Sequence, residues 1–220
     1  IEKIKLNNNI TSNILDYTSQ MQMAQIAEKI DNLQLSIDEV KQGQEDDRLA
    51  LAESSKQMLL QALYIKDEEN KNRQLHDIIA SAEKRRQQLK LSHLKDIEYI
   101  NNTPEDLFKK IIYLRSLKQV DIKIQAAKKS LNALNMVSLV EAISYQELGE
   151  VEAANKSLEW FNNFIKQEYL DKPDRTNRLD SNDSTRELYW SKTLTEISSS
   201  INKLLETNKT KLLEGNKNEK

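Results

Sequence analysis

Residues 190–204 read WSKTLTEISSSINKL, and their apolar side chains recur at alternating spacings of four and three residues. This spacing places those side chains along one face of an α-helix. The members of this heptad seam are Trp190, Leu194, Ile197, Ile201 and Leu204. Residues 23–40 carry a second seam, formed by Met23, Ile26, Ile30, Leu33, Ile37 and Val40. Two such seams predict long amphipathic helices that bury one stripe against other helices.

The scarcity of glycine and proline supports the same fold class. The chain of 220 residues holds 3 Gly and 2 Pro, where average usage would give about 15 and about 11. Strand-rich folds need frequent turn residues, whereas long helices do not. Periodic apolar residues and a net charge of −2 also argue against disorder. We therefore predict an all-α protein, an elongated antiparallel helical bundle or coiled coil of four to six helices.

Two positions leave the helix boundaries open. Gly43 lies where the first seam fails, so that helix either ends there or continues with a shift of register. Residues 66–73 are wholly polar but lack Gly and Pro. They form either a hairpin loop or the exposed middle of one long helix over about residues 46–101.

The second half of the chain offers clearer boundaries. Thr103 and Pro104 are typical of a helix start. The stretch 131–142 is apolar enough to be buried on more than one side, and Gly149 should end that helix. The segment with Tyr145, Gly149 and Ala154 resembles the turn of a tetratricopeptide repeat, which implies two closely packed antiparallel helices. No second copy occurs near a period of 34, so an ordinary helical hairpin is the alternative.

The domain prediction has four parts. A helical bundle domain covers 1–170, and a polar linker follows at 171–183. A C-terminal helix at 184–214 packs on the bundle or on a partner, and its start fits a capping box at 184–187. Residues 215–220 should be a disordered tail.

The sequence offers little chemistry. There is no cysteine, and the two histidines, His76 and His93, lack the spacing of a zinc site. We expect both to be surface or half-buried residues. No glycine-rich phosphate loop or nucleophile motif is present, so we predict no catalytic residue, no cofactor and no metal site. The basic clusters at 84–86, 109–110 and 128–129 are expected to be solvated, which together with a pI near 5.9 argues against a nucleic-acid partner.

The remaining function classes are a non-enzymatic scaffold or protein-interaction module, a membrane-active toxin-like bundle, and an enzyme whose site is assembled in three dimensions. We favour the first. The chain begins with Ile1 rather than Met, so we expect it to be part of a larger protein. Partners would be a protein or a second copy, held through the heptad seams, and no stable membrane insertion is expected. The predicted interaction residues are Ile30, Ile37, Trp160, Trp190 and Ile197.

Overall fold

The structure, a computed structural model, describes residues 47–103 and 114–218, all within the unit Glu45–Lys220. These residues form six α-helices and no strand, so the all-α prediction is confirmed. The helices are α1 (Asp47–Leu63), α2 (Glu68–Asn102), α3 (Leu114–Glu147), α4 (Val151–Ile165), α5 (Pro173–Ser181) and α6 (Leu194–Asn218). Two π-helical segments, π1 (Lys166–Leu170) and π2 (Tyr189–Thr193), follow α4 and precede α6. The seam at 23–40, Gly43 and the predicted helix start at Pro104 lie outside the described residues.

Helices α1 and α2 form an antiparallel hairpin. The chain leaves α1 after Leu63 and re-enters a helix at Glu68, where the Asp67 carboxylate accepts a hydrogen bond from the Asn70 N–H at 2.9 Å. This is an ordinary side-chain cap for the start of α2. The polar stretch at 66–73 is therefore mostly the exposed first turns of α2, preceded by a short turn.

The apolar periodicity of α2 predicts its buried face correctly. Ile78, Ala82, Leu89, Ile97 and Ile100 are all buried. Together with Leu75 they form the stripe that packs on α1 and α3.

Helix α3 is the central element of this unit. It packs against α1, α2 and α4, and every residue from 133 to 142 is buried. The prediction that this stretch is covered on more than one side is confirmed. Burial on several sides explains why the apolar face of α3 is broad rather than a two-in-seven seam.

A Schellman motif ends α3. The Gly149 N–H donates to Gln146 O at 3.0 Å, and the Glu150 N–H donates to Tyr145 O at 2.9 Å. Gly149 has φ +81°, a conformation that glycine adopts without the clash a Cβ would create with its own backbone. The predicted turn at Gly149 is confirmed, and it returns the chain as α4, antiparallel to α3.

The segment predicted as a polar linker is largely helical. Pro173 takes the first turn of α5, and Thr176, Leu179 and Asp180 are buried. The polar composition misled the prediction because most of the nine residues of α5 are charged or amidic while only one narrow stripe packs inward.

The capping box predicted at 184–187 is wrong. Residues 183–188, here called the strap, are non-helical, and Arg186 and Leu188 have φ of +57° and +51°. The helix re-forms only at Tyr189, as π2. The Glu187 carboxylate points instead to Lys128 on α3.

Helix α6 packs antiparallel to α4. Asn162 of α4 donates to Asn202 Oδ1 at 2.8 Å and accepts from the Ser198 hydroxyl at 2.7 Å. The C-terminal helix thus packs on the chain's own bundle, one of the two alternatives that the sequence left open. The helix continues to Asn218, beyond the predicted start of the tail at residue 215.

Candidate functional site

The predicted interaction residues fall in different environments. Ile30 and Ile37 lie outside the described residues. Trp190 is completely buried and Ile197 is 6% exposed, so both side chains pack within the described unit, and their contact with a partner stays a prediction. Only Trp160 reaches the surface, half-buried on α4.

The core of the described unit contains a histidine centre made of His93, Phe164, Tyr169 and Trp190. His93 of α2 is 0% exposed, which corrects the expectation that it is a surface or half-buried residue. Its ring lies 5.9 Å from Phe164 and 5.7 Å from Tyr169, both edge-on, and 6.4 Å from Trp190, centroid to centroid. His76, by contrast, is exposed as expected.

The two π-helical segments build this centre. Tyr169 lies in π1 and Trp190 in π2, and their ring centroids are 5.1 Å apart. The Asp171 N–H donates to Lys166 O at 2.9 Å, a bond that spans five residues and inserts one extra residue into the turn. Asp180 of α5 holds π2 in place, because its carboxylate accepts from the Trp190 and Ser191 N–H groups at 2.9 and 3.0 Å.

The proton positions in the histidine centre follow from its partners. His93 Nδ1 lies 3.0 Å from Ala127 O, which can only accept, so Nδ1 carries the proton. Nε2 then accepts from the Tyr169 hydroxyl. Burial lowers the pKa of His93 to about 4 and raises the pKa of Tyr169 well above its usual value. Both groups are therefore neutral at neutral pH, and both ring nitrogens of His93 have hydrogen-bond partners, as expected of a structural core histidine.

A buried carboxylate lies one turn along α2 from His93. Asp96 is 2% exposed and pairs with Lys123 of α3 and Arg48 of α1, each at 2.8 Å. The same Arg48 donates to Ala126 O at 2.7 Å. Two cations on one carboxylate tie α1, α2 and α3 together at this level of the bundle.

Lys128 forms a second buried ion cluster. Its ammonium, 3% exposed, lies 3.1 Å from both Asp183 and Glu187 and 3.0 Å from the Thr185 hydroxyl. It also lies 5.2 Å from the centre of the Tyr189 ring. The expectation that this basic cluster is solvated is wrong for Lys128, which fastens the strap to α3.

The basic cluster at 84–86 is likewise only partly solvated. Lys84 is exposed, but Arg85 reaches the Ser55 hydroxyl of α1 at 2.5 Å. Arg86 reaches the buried carboxylate of Glu141 on α3, also at 2.5 Å, and Ser157 donates to the same carboxylate at 2.9 Å. Both arginines hold helices together, so they do not form a free phosphate-binding face.

Arg86 also belongs to a partly exposed feature, here called the cation–tryptophan surface. It consists of Arg86 and Lys90 of α2 and Trp160 of α4, all half-buried, together with Phe164 of α4, which is 8% exposed. The Arg86 guanidinium lies 4.7 Å above the Trp160 ring, and the Lys90 ammonium lies 5.8 Å from Trp160 and 5.5 Å from Phe164. The two aromatic rings are stacked, 5.9 Å apart with an interplanar angle of 8°. The sequence pointed to Trp160 but not to its cationic neighbours, because they come from another helix.

Between residues 47 and 103 and between 114 and 218, no group of three or more His, Asp or Glu side chains is placed to hold a metal ion. In the same ranges, none of the helices has the length and apolarity needed to cross a membrane.

The chain was compared with protein-family models, with curated proteins and with solved structures, and none of them matches it. The likeness of the Gly149 turn to a tetratricopeptide repeat stays a prediction.

Proposed function

We propose that this chain is a non-enzymatic protein-interaction module that engages its partner through the cation–tryptophan surface. The observation that carries the proposal is Trp160, a half-buried tryptophan held under Arg86 and stacked on Phe164. Tryptophan and arginine are the side chains most enriched among binding hot spots. A ring already fixed by its neighbours loses little conformational entropy on binding, which favours affinity.

The buried groups support a non-enzymatic role. His93 is out of reach of a substrate in this conformation, and its two ring nitrogens already have partners. Asp96 and Lys128 are each engaged by oppositely charged groups. These side chains stabilise contacts between helices, whereas a catalytic group must face the reacting atoms.

The test is capture of a partner by the full chain with a photo-cross-linking residue at Asn163, which is exposed one turn after Trp160. We expect a defined cross-linked protein that is lost in Trp160→Ala. The matched control is Leu91→Ala, which removes an equally apolar side chain that is 60% exposed on α2. Capture that is unchanged in Trp160→Ala, or lost equally in Leu91→Ala, would contradict the proposal.

Because Trp160→Ala also removes packing on Phe164, thermal unfolding of each variant is measured alongside. Lys90→Gln provides a second variant of the same surface that leaves the ring stack in place. Loss of capture in both variants with retained helical signal would show that the surface itself is required.

Self-association remains a separate proposal. The C-terminal seam packs on α4, so we propose that a second copy would pair through the seam at 23–40. Light scattering should then show a dimer that Ile30→Lys converts to a monomer. A monomer whose mass Ile30→Lys does not change would exclude pairing through that seam.

The alternative of a membrane-active bundle is tested by dye release from liposomes. If the protein releases dye at neutral or acidic pH, the membrane-active function would take the place of the proposed interaction function. The absence of leakage in anionic and neutral vesicles would remove the alternative.

A further inference from the structure

Among the described residues, no carboxylate pairs with Lys90 of the cation–tryptophan surface. Arg86 is neutralised by Glu141 at 2.5 Å. The Lys90 ammonium lies over the Trp160 and Phe164 rings instead, and it is half-buried. Within residues 47–103 and 114–218, no Asp or Glu oxygen lies within ion-pair distance of it.

An ammonium group in this position can form an ion pair with an anion from another molecule. Its position over two rings removes part of its hydration, and cation–π attraction replaces only some of it. A carboxylate placed at the surface would form a charge-assisted hydrogen bond in a partly desolvated setting, where such bonds are stronger than in water.

Helix α4 adds a second positive charge to the same face. Lys156 is exposed and lies four residues before Trp160, the spacing that brings two side chains to neighbouring positions on a helix. Lys156 therefore adds an exposed lysine about one helical turn from Trp160. The surface offers an apolar ring with the Lys90 ammonium over it and this second lysine nearby on α4.

We propose that this surface binds an acidic segment of a partner protein, with Lys90 pairing a carboxylate and Trp160 packing on the adjacent apolar side chain. This inference rests on the proposed function and names the chemistry of its partner. Two ammonium groups are too few for a nucleic-acid groove, where many phosphates are contacted at once. They are also fewer than the four to eight clustered cations that typically hold a protein to an anionic membrane.

The experiment measures binding of a fluorescently labelled peptide of Glu, Leu and Gly to the full chain by anisotropy, against the same peptide with Gln in place of Glu. We expect the acidic peptide to bind and the Gln peptide to bind far more weakly. Affinity for the acidic peptide should fall as salt is raised, because the ion pair is only partly shielded from solvent. Lys90→Gln should weaken binding about tenfold, the effect of losing roughly 1.4 kcal/mol.

Lys84→Gln is the matched control, because Lys84 is an exposed lysine of the same helix that lies outside the cation–tryptophan surface. Equal binding of the two peptides, or equal losses in the two lysine variants, would overturn the proposal. Co-sedimentation with phosphatidylserine vesicles is run in parallel. Vesicle binding that needs Lys90 without peptide binding would overturn it in favour of a lipid surface.

The two levels of the proposal fail differently. If capture of the natural partner needs Trp160 while the acidic peptide does not bind, the interaction module stands and its acidic partner is wrong. If capture does not depend on Trp160 at all, the proposed function itself is wrong.

Discussion

The Lys128 ammonium lies 3.1 Å from the Asp183 carboxylate, and the two side chains are only 3% and 0% exposed. This pair joins the middle of α3 to the start of the strap. Gln125 and Thr185 also donate to Asp183, at 2.9 Å and 2.7 Å, so its lone pairs are largely satisfied. The strap includes two residues with positive φ, Arg186 and Leu188, a conformation that is costly for side chains of this size. We infer that the ion cluster helps to hold the strap in this conformation.

Replacing Lys128 by Met should therefore lower the free energy of unfolding by about 3–5 kcal/mol, the usual cost of leaving a buried charge without its partner. Urea denaturation of the variant at neutral pH measures this loss. Lys84→Met, an exposed lysine of α2, should change stability by less than about 0.5 kcal/mol. A cost below about 1 kcal/mol for Lys128→Met would mean that the cluster contributes little.

The double variant Lys128→Met with Asp183→Asn separates the pair from its surroundings. The double variant should cost less than the sum of the two single variants, because each single variant leaves one charge of the pair buried without its partner and the double variant removes both charges.

The pKa of Asp183 makes this contribution depend on pH. Burial alone would raise the pKa of Asp183, but the hydrogen bonds from Thr185 and Gln125 and the charge of Lys128 lower it. The contribution of Asp183 is therefore present at neutral pH and is lost in acid, as the pH falls through its lowered pKa.

His93 makes stability depend on pH in a different window. Its pKa is about 4 in the folded protein, because of burial, and near 6.5 when the chain is unfolded. Between these values the unfolded chain binds more protons, so stability falls as the pH falls. We expect a loss of about 2 kcal/mol from this residue between pH 7 and pH 5.

The control is His93→Gln, whose amide can still donate and accept but does not titrate. Urea unfolding at pH 7, 6 and 5 should show a shallower decline for the variant, whatever its stability at pH 7. Parallel declines in the two proteins would show that His93 does not titrate on unfolding in this range.

The sequence predicted the faces of helices better than the contacts between them. The buried residues of α2 and the Gly149 turn could be read from periodicity and from a single glycine, because both are local properties of the chain. The burial of His93 could not, since its partners Ala127 and Tyr169 lie on α3 and π1. Nothing in the local sequence marks π1 or π2, whose extra residue is accommodated by the packing of Tyr169 and Trp190.

The burial of two charged side chains is also set by distant partners that the local sequence does not reveal. Arg86 and Lys128 lie in basic runs that look solvated, but each has a buried acidic partner more than fifty residues away. Composition gives no sign of which lysine or arginine in a run faces inward. The sequence identified Trp160 because tryptophan is rare in proteins but enriched in their interfaces. It did not identify Lys90, because a single lysine in a chain rich in lysine gives no such indication.

The Arg86–Glu141 pair should respond unequally to loss of its two members. Burial raises the pKa of Glu141, and the charge of Arg86 and the Ser157 hydrogen bond offset that only in part. Glu141→Gln removes the buried charge and keeps an acceptor for Arg86 and Ser157, and the Arg86 guanidinium keeps its contact with the Trp160 ring. We therefore expect the smaller loss of the two variants, about 1–2 kcal/mol. Arg86→Met leaves the buried carboxylate with the Ser157 hydroxyl but without the cation that neutralises it, and should cost about 3 kcal/mol or more.

Chemical denaturation of the two variants at pH 7 measures this inequality. Glu141 has a raised pKa, so the cost of Arg86→Met should shrink as the pH is lowered and the carboxyl takes up a proton. An Arg86→Met penalty that is smaller than that of Glu141→Gln, or that is the same at pH 5 and pH 7, would contradict this account.

At Gly149 a substitution should change stability through backbone strain alone, without steric contact with other residues. A Cβ built at Gly149 meets no atom within 4 Å, so a larger residue has space there. Its φ of +81° nevertheless lies in the left-handed region, where an L side chain crowds its own backbone at a cost of about 1–2 kcal/mol. Gly149→Ala should destabilise by that amount, and Gly149→Asn by less, because asparagine tolerates this region better. Equal stability of the wild type and Gly149→Ala in urea would show that the turn relaxes to a negative φ, and the Schellman hydrogen bonds that end α3 would then have to be lost as well.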